Sequence, residues 1–194
     1  MRIALFHSTL GLRDVERELA DALRRDGHDV LLPDLFDGRV AGTIEEGLAL
    51  KVAVGWASIC ARARTALCDA PSDTVLVGVS MGAGVVSELW CERPETAAVV
   101  LLHGYAVIPA CVRPGVRATL HVAVGDRFAP EETISRWQQD AASRGVDAEV
   151  YRYPSPGHFF TDRASEDYDE RAAQTLLARV RAFLQPAGTA PPIA

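Results

Sequence analysis

The chain has 194 residues, enough for one full-sized domain and too few for two. Its 48% hydrophobic and 24% charged residues are those of a globular protein rather than a disordered one. A formal net charge of −6 with no Lys/Arg cluster excludes a phosphate-backbone reader, so nucleic acid is not an expected partner.

Six short β-type runs alternate with segments of helical spacing. Residues 2–6 (RIALF) form the first strand and HSTLGL the loop after it. This opening has too short an apolar core for a secretory signal, and nothing later approaches the roughly 18 apolar residues of a membrane span. A cytoplasmic protein without membrane contact is expected. Val15, Leu19, Ala22 and Leu23 then share a helix face, and residues 29–32 (DVLL) make the second strand. Val52, Trp56, Ile59, Ala63 and Leu67 line up as one face of a further helix. Strands follow at 74–79 (TVLVGV), 98–102 (AVVLL), 118–124 (ATLHVAV) and 148–153 (AEVYRY). Ile134, Trp137 and Ala141 mark a helix opened by Pro130-Glu131-Glu132, where proline forfeits no bond and the acids face the dipole. The last helix runs over about 167–184 with Leu176, Leu177, Val180 and Phe183 inward.

Residues 1–185 are therefore expected as one domain and 186–194 as a Pro/Gly-rich tail. Strands apolar on both parities need helices on both faces. The expected fold class is α/β: a single domain with a six-stranded, mostly parallel sheet and right-handed crossovers. Reactive groups should lie just beyond the carboxyl ends of the strands. Cys60, Cys68, Cys91 and Cys111 show no C-x-x-C pair and no histidine at ligand spacing, so they read as reduced, mostly buried thiols, with no metal site.

Gly78-Val79-Ser80-Met81-Gly82 fits G-x-S-x-G and stands between a strand and a helix pattern, the context that projects a serine hydroxyl above a sheet. Met81's N–H, at a helix start, suits a developing oxyanion. A serine nucleophile needs a base, and the base an orienting acid. Asp126 follows the fifth strand in VGDRFAP, and His158 follows the sixth in YPSPGHFF, the order this architecture requires. Strand order 2-1-3 would place HSTLGL beside Ser80, so the second oxyanion donor is expected from Thr9's N–H, with Leu10 as the alternative and a plain turn as the bland one. Tyr105 and Phe159 are candidate pocket walls; His28 and His121 read as structural, and His7 and His103 as lining groups. Two rival readings remain open. A flavodoxin-like module would cradle a phosphate in HSTLGL but leaves Asp126 and His158 unexplained; an inactive hydrolase-like scaffold would serve a partner.

GVSMGAG, GDRFAP, YPSPGHFFTDRASEDYDERAA and VLLPDLFDGRV together resemble the dienelactone hydrolase family of α/β-hydrolases over nearly the whole chain. The resemblance implies a minimal α/β-hydrolase without a lid domain, free of cofactor, acting as monomer or homodimer on a small ester or lactone. It implies catalytic roles for Ser80, Asp126 and His158. Ser80 stands where the family's namesakes carry cysteine, Cys91 lies too far into the next helix to replace it, and Ser8 stands where they carry a glutamate. Asp162 occupies the position of a substrate-binding arginine, with Arg163 one place later, which points to a neutral substrate unless the loop shifts by one.

Overall fold

The computed structural model describes residues 1–155 and 157–185. The strands are β1 (Arg2–Phe6), β2 (Asp29–Leu31), β3 (Val75–Val79), β4 (Ala98–Leu102), β5 (Arg117–Ala123) and β6 (Asp147–Tyr153). They form one sheet in the order β2-β1-β3-β4-β5-β6, with every neighbouring pair parallel. The helices are α1 (Asp14–Arg25), α2 (Ile44–Val54), α3 (Trp56–Ala66), α4 (Met81–Trp90), α5 (Glu131–Ser143) and α6 (Glu170–Leu184).

Strand parity divides the core as the two-sided apolar runs require. Ala4, Phe6, Leu76, Val99 and Leu101 pack with Ile59, Val85, Leu89, Ile134 and Trp137 of α3, α4 and α5 on one face. Ile3, Leu5, Val75, Val77 and Val100 pack with Leu23 of α1 and Leu176, Val180 and Phe183 of α6 on the other. Because the chain leaves β1 for β2 on one side and returns to β3 on the other, the carboxyl ends of β1 and β3 flank the switch point, where a crevice opens.

Three expectations need correction. The helix expected through Val52, Trp56 and Leu67 is two helices, broken at Gly55 with φ +82°, a conformation few other residues adopt. α2 starts earlier, capped by Thr43, whose Oγ1 accepts the Glu46 N–H at 3.2 Å, and it leaves Val52 80% exposed. The last helix begins at Glu170, because Asp169 Oδ1 accepts the Ala172 N–H at 2.9 Å and caps it there. The cysteines are not all reduced or mostly buried. Cys91, just past α4, is joined by a disulfide to Cys111 in the loop after β4, two segments 20 residues apart that the fold brings together; Cys60 is free and buried, and Cys68 free and exposed. Pro156 and the expected tail at 186–194 lie outside the described residues. Among the described residues no helix is long and apolar enough to cross a membrane.

Candidate active site

Ser80 caps α4 with φ 51° and ψ −107°, and its N–H donates to the Leu102 carbonyl at 2.7 Å. The sharp turn is possible because Gly82 carries no side chain: a Cβ there would collide with the Phe6 carbonyl oxygen of β1. Ser80 is thereby held above the ends of β1, β3 and β4.

Ser80 Oγ lies 2.8 Å from His158 Nε2, and His158 Nδ1 lies 2.6 Å from Asp126 Oδ2. A carboxylate facing Nδ1 keeps the proton there, so Nε2 is left to accept from the serine hydroxyl. Asp126 is itself fixed, its Oδ1 accepting the Phe128 N–H at 2.8 Å. The loop bearing His158 is held twice: Asp167 accepts the Phe159 N–H at 3.1 Å, and Thr161 Oγ1 lies 2.8 Å from Nε2 of the buried His103. Burial pushes His103 down to about 3, so it stays neutral behind His158, their ring centroids 6.1 Å apart.

The serine opens into a cavity of about 170 Å³ lined by Thr9, Ile44, Leu48, Lys51, Ser80, Met81, Phe128, His158 and Phe159. Met81 is the first residue of α4, so its N–H has no intrahelical acceptor. In the loop after β1 nearly every peptide group is taken. Glu16 Oε1 accepts the Ser8 N–H at 3.1 Å, Ser8 Oγ accepts the Leu10 N–H at 3.3 Å, and the Ser8 carbonyl accepts the Gly11 N–H at 3.2 Å. His7 Nε2 accepts the Leu35 N–H at 2.9 Å, which leaves Nδ1 to donate to the Ser8 carbonyl at 2.7 Å. Burial lowers the pKa of His7 and raises that of Glu16, the latter against the N–H bonds that favour its anion. Among the described residues the Thr9 N–H has no acceptor, and Thr9 lines the cavity. A loop with most of its donors engaged and a buried carboxyl at its base is poorly made for the phosphate of a flavodoxin-like module.

The other expected positions divide. Phe159 lines the cavity, whereas Leu10 packs behind it against Ala41 and Phe159, its N–H engaged. Tyr105 does not line the cavity; it stands 38% exposed on the loop after β4. His7 and His103 are buried and do not line the serine's cavity. Asp162 does not line the serine's cavity, and its carboxylate pairs with Arg13 at 2.7 Å. Arg163 is on the surface, over the Tyr168 ring at 5.4 Å. Sequence reasoning missed Ile44, Leu48 and Lys51 of α2, although the Thr43-x-x-Glu46 capping signature could have fixed where that helix begins. It also missed Phe128, two residues beyond Asp126. Among the described residues no group of three or more His, Cys, Asp or Glu is placed to hold a metal ion.

The sequence matches the dienelactone hydrolase family over residues 2–188. The chain belongs to that family. Its fold is that of an α/β-hydrolase, shared with a dienelactone hydrolase-like promiscuous phosphotriesterase from metagenomic libraries at TM-score 0.75 and 20% identity, over 93% of this chain and 84% of the other. A structure named m3DLH aligns at TM-score 0.76 and 22% identity over 93% and 83% of the two chains. The esterase PE8 aligns at 0.61 and 18% over 94% and 92%. No match was found among the curated proteins. As a dienelactone hydrolase family member the chain is a hydrolase by fold, and its serine, histidine and aspartate fall where that architecture places reacting groups.

Proposed function

We propose that the protein is a serine hydrolase that cleaves a small ester or lactone through an acyl-enzyme. The observation that carries this reading is the continuous hydrogen-bonded chain from Ser80 Oγ to His158 to Asp126, at 2.8 and 2.6 Å, opening into a cavity. Ser80 Oγ attacks the carbonyl carbon as His158 Nε2 takes its proton; Asp126 steadies the imidazolium through Nδ1–H. The oxyanion is received by the N–H groups of Met81 and Thr9, each such donor contributing about 10²–10³ in rate. The carbonyl re-forms, and the alkoxide leaves with the proton from His158. Water, deprotonated by the same nitrogen, then attacks the acyl carbon; the bond to Ser80 Oγ breaks, His158 returns the proton to that oxygen, and the carboxylic acid is released. Every group needed belongs to the chain or to water.

The small cavity with walls of Ile44, Leu48, Phe128 and Phe159 favours a compact, neutral substrate, and no guanidinium lines it. Asp162 adds no repulsion of an anion, since its carboxylate is paired with Arg13. Lys51 favours a second reading, an ester with an anionic end, because it is the one cation among the described lining residues. A screen of short p-nitrophenyl esters and lactones with wild type and Ser80→Ala side by side tests the function: turnover that survives in Ser80→Ala excludes it. Comparing a carboxylate-bearing lactone with its methyl ester, in wild type and Lys51→Met, separates the two substrate readings.

A further inference from the structure

α2 approaches the loop after β1 more closely than any side chain would permit. A Cβ built on Gly47 would stand 2.6 Å from the Thr9 carbonyl oxygen, 3.1 Å from the Thr9 carbonyl carbon and 3.2 Å from Leu10 Cδ2. The first two are backbone atoms of a loop that cannot easily retreat: its neighbours are fixed by Glu16 and His7, and the Leu10 carbonyl accepts the Ala41 N–H at 2.9 Å. Nothing in the helix itself asks for glycine, since alanine is the better helix former. Gly47 is buried although most of α2 around it is exposed.

We propose that Gly47 is a positioning residue: its bare Cα lets α2 rest on the Thr9 carbonyl and so fixes the Thr9 N–H against the cavity. The inference rests on the reading of that N–H as an oxyanion donor. The two peptide groups of Thr9 share its Cα, so displacing the carbonyl turns the N–H, and such a donor works only within a few tenths of an ångström of its place. The same helix carries Ile44, Leu48 and Lys51 into the cavity wall. One rigid element therefore sets both a wall and an oxyanion donor, spaced by a single missing side chain.

The test is Gly47→Ala, with Thr43→Ala as a milder variant that removes the α2 cap without touching the loop. For short p-nitrophenyl esters, Gly47→Ala is expected to lower kcat at least tenfold with KM within about twofold, because the donor acts on the transition state; Thr43→Ala should lower kcat by a smaller factor. Amide hydrogen exchange at Leu10, Gly11 and Ala41 should accelerate about tenfold in Gly47→Ala while β1 amides stay unchanged. This second readout needs no turnover. If exchange accelerates but the wild type hydrolyses nothing, or Ser80→Ala keeps its activity, the packing role stands and the serine hydrolase reading is what fails. Unchanged kcat and exchange in both variants overturn the proposal. So does a rise in KM alone, which would mean that α2 moved off and left the loop in place.

Discussion

Among the described residues Ser80 is one of three non-glycine residues with positive φ, beside Asp37 and His103, and a non-glycine residue held there costs about 1–3 kcal/mol. Ser80 and His103 end adjacent strands, one bearing the hydroxyl and the other backing the histidine that faces it. Asp126 meets His158 Nδ1 at 2.6 Å, and in the proposed mechanism it acts only through that imidazole. Asp126→Asn should keep the fold but favour the wrong imidazole tautomer, lowering kcat on the order of 10⁴-fold by analogy with other triads; a loss below about tenfold would point to another carboxylate. Arg163, exposed and outside the cavity, should be indifferent to substrate charge. In Arg163→Ala, kcat/KM for a carboxylate-bearing lactone and for its methyl ester should each stay within about twofold of wild type. Loss of a desolvated ion pair would instead cost about 2–5 kcal/mol on the anion alone. That Ser80, Asp126 and His158 come together was legible in sequence, because residue types in that order after strands are what a serine triad would demand. Tyr105, Leu10 and Arg163 were not, since the direction a loop side chain takes is decided by what packs beside it.

At the scale of elements, all six strands were legible to within a residue or two: β1, β3, β4 and β5 as runs buried on both faces, and the partly buried edge strands β2 and β6 as short β-type runs bounded by turn residues. The break between α2 and α3 was hidden by a helical periodicity that continues through Gly55. A single backbone rotation at φ +82° redirects the chain there, and it brings α2 over the serine. A Cβ at Gly55 would meet nothing within 4 Å, so the cost of Gly55→Ala is purely conformational. It should destabilise by about 1–3 kcal/mol, or roughly 2–12 °C in Tm for a domain of this size. An unchanged or higher Tm would mean that the chain straightens at 55 into the single helix its pattern suggests.

For the whole molecule, the two-faced core follows from strand parity, whereas the buried histidines could be placed only in three dimensions. Burial pushes His103 and His121 down to about 3 and lowers His7. The unfolded chain binds these protons near pH 6.5 and the folded one does not, so their neutral burial is fully tolerated above about 6.5 and stability is lost as pH falls below it. His103 and His121 together should forfeit on the order of 5 kcal/mol between pH 6.5 and 4.5. Glu16, whose pKa is raised, pulls the other way over part of that range. Tm should therefore drop steadily from pH 6.5 to 4.5, and less steeply in His121→Phe; a flat profile would contradict the buried neutral state. The proposed hydrolysis requires Ser80 to be the nucleophile. Reacting the protein with an ethyl fluorophosphonate and locating the adduct by mass spectrometry addresses this directly. One adduct per chain on the peptide containing Ser80, absent in Ser80→Ala, is the predicted result. Equal labelling of Ser80→Ala, or an adduct on any other residue, would contradict it.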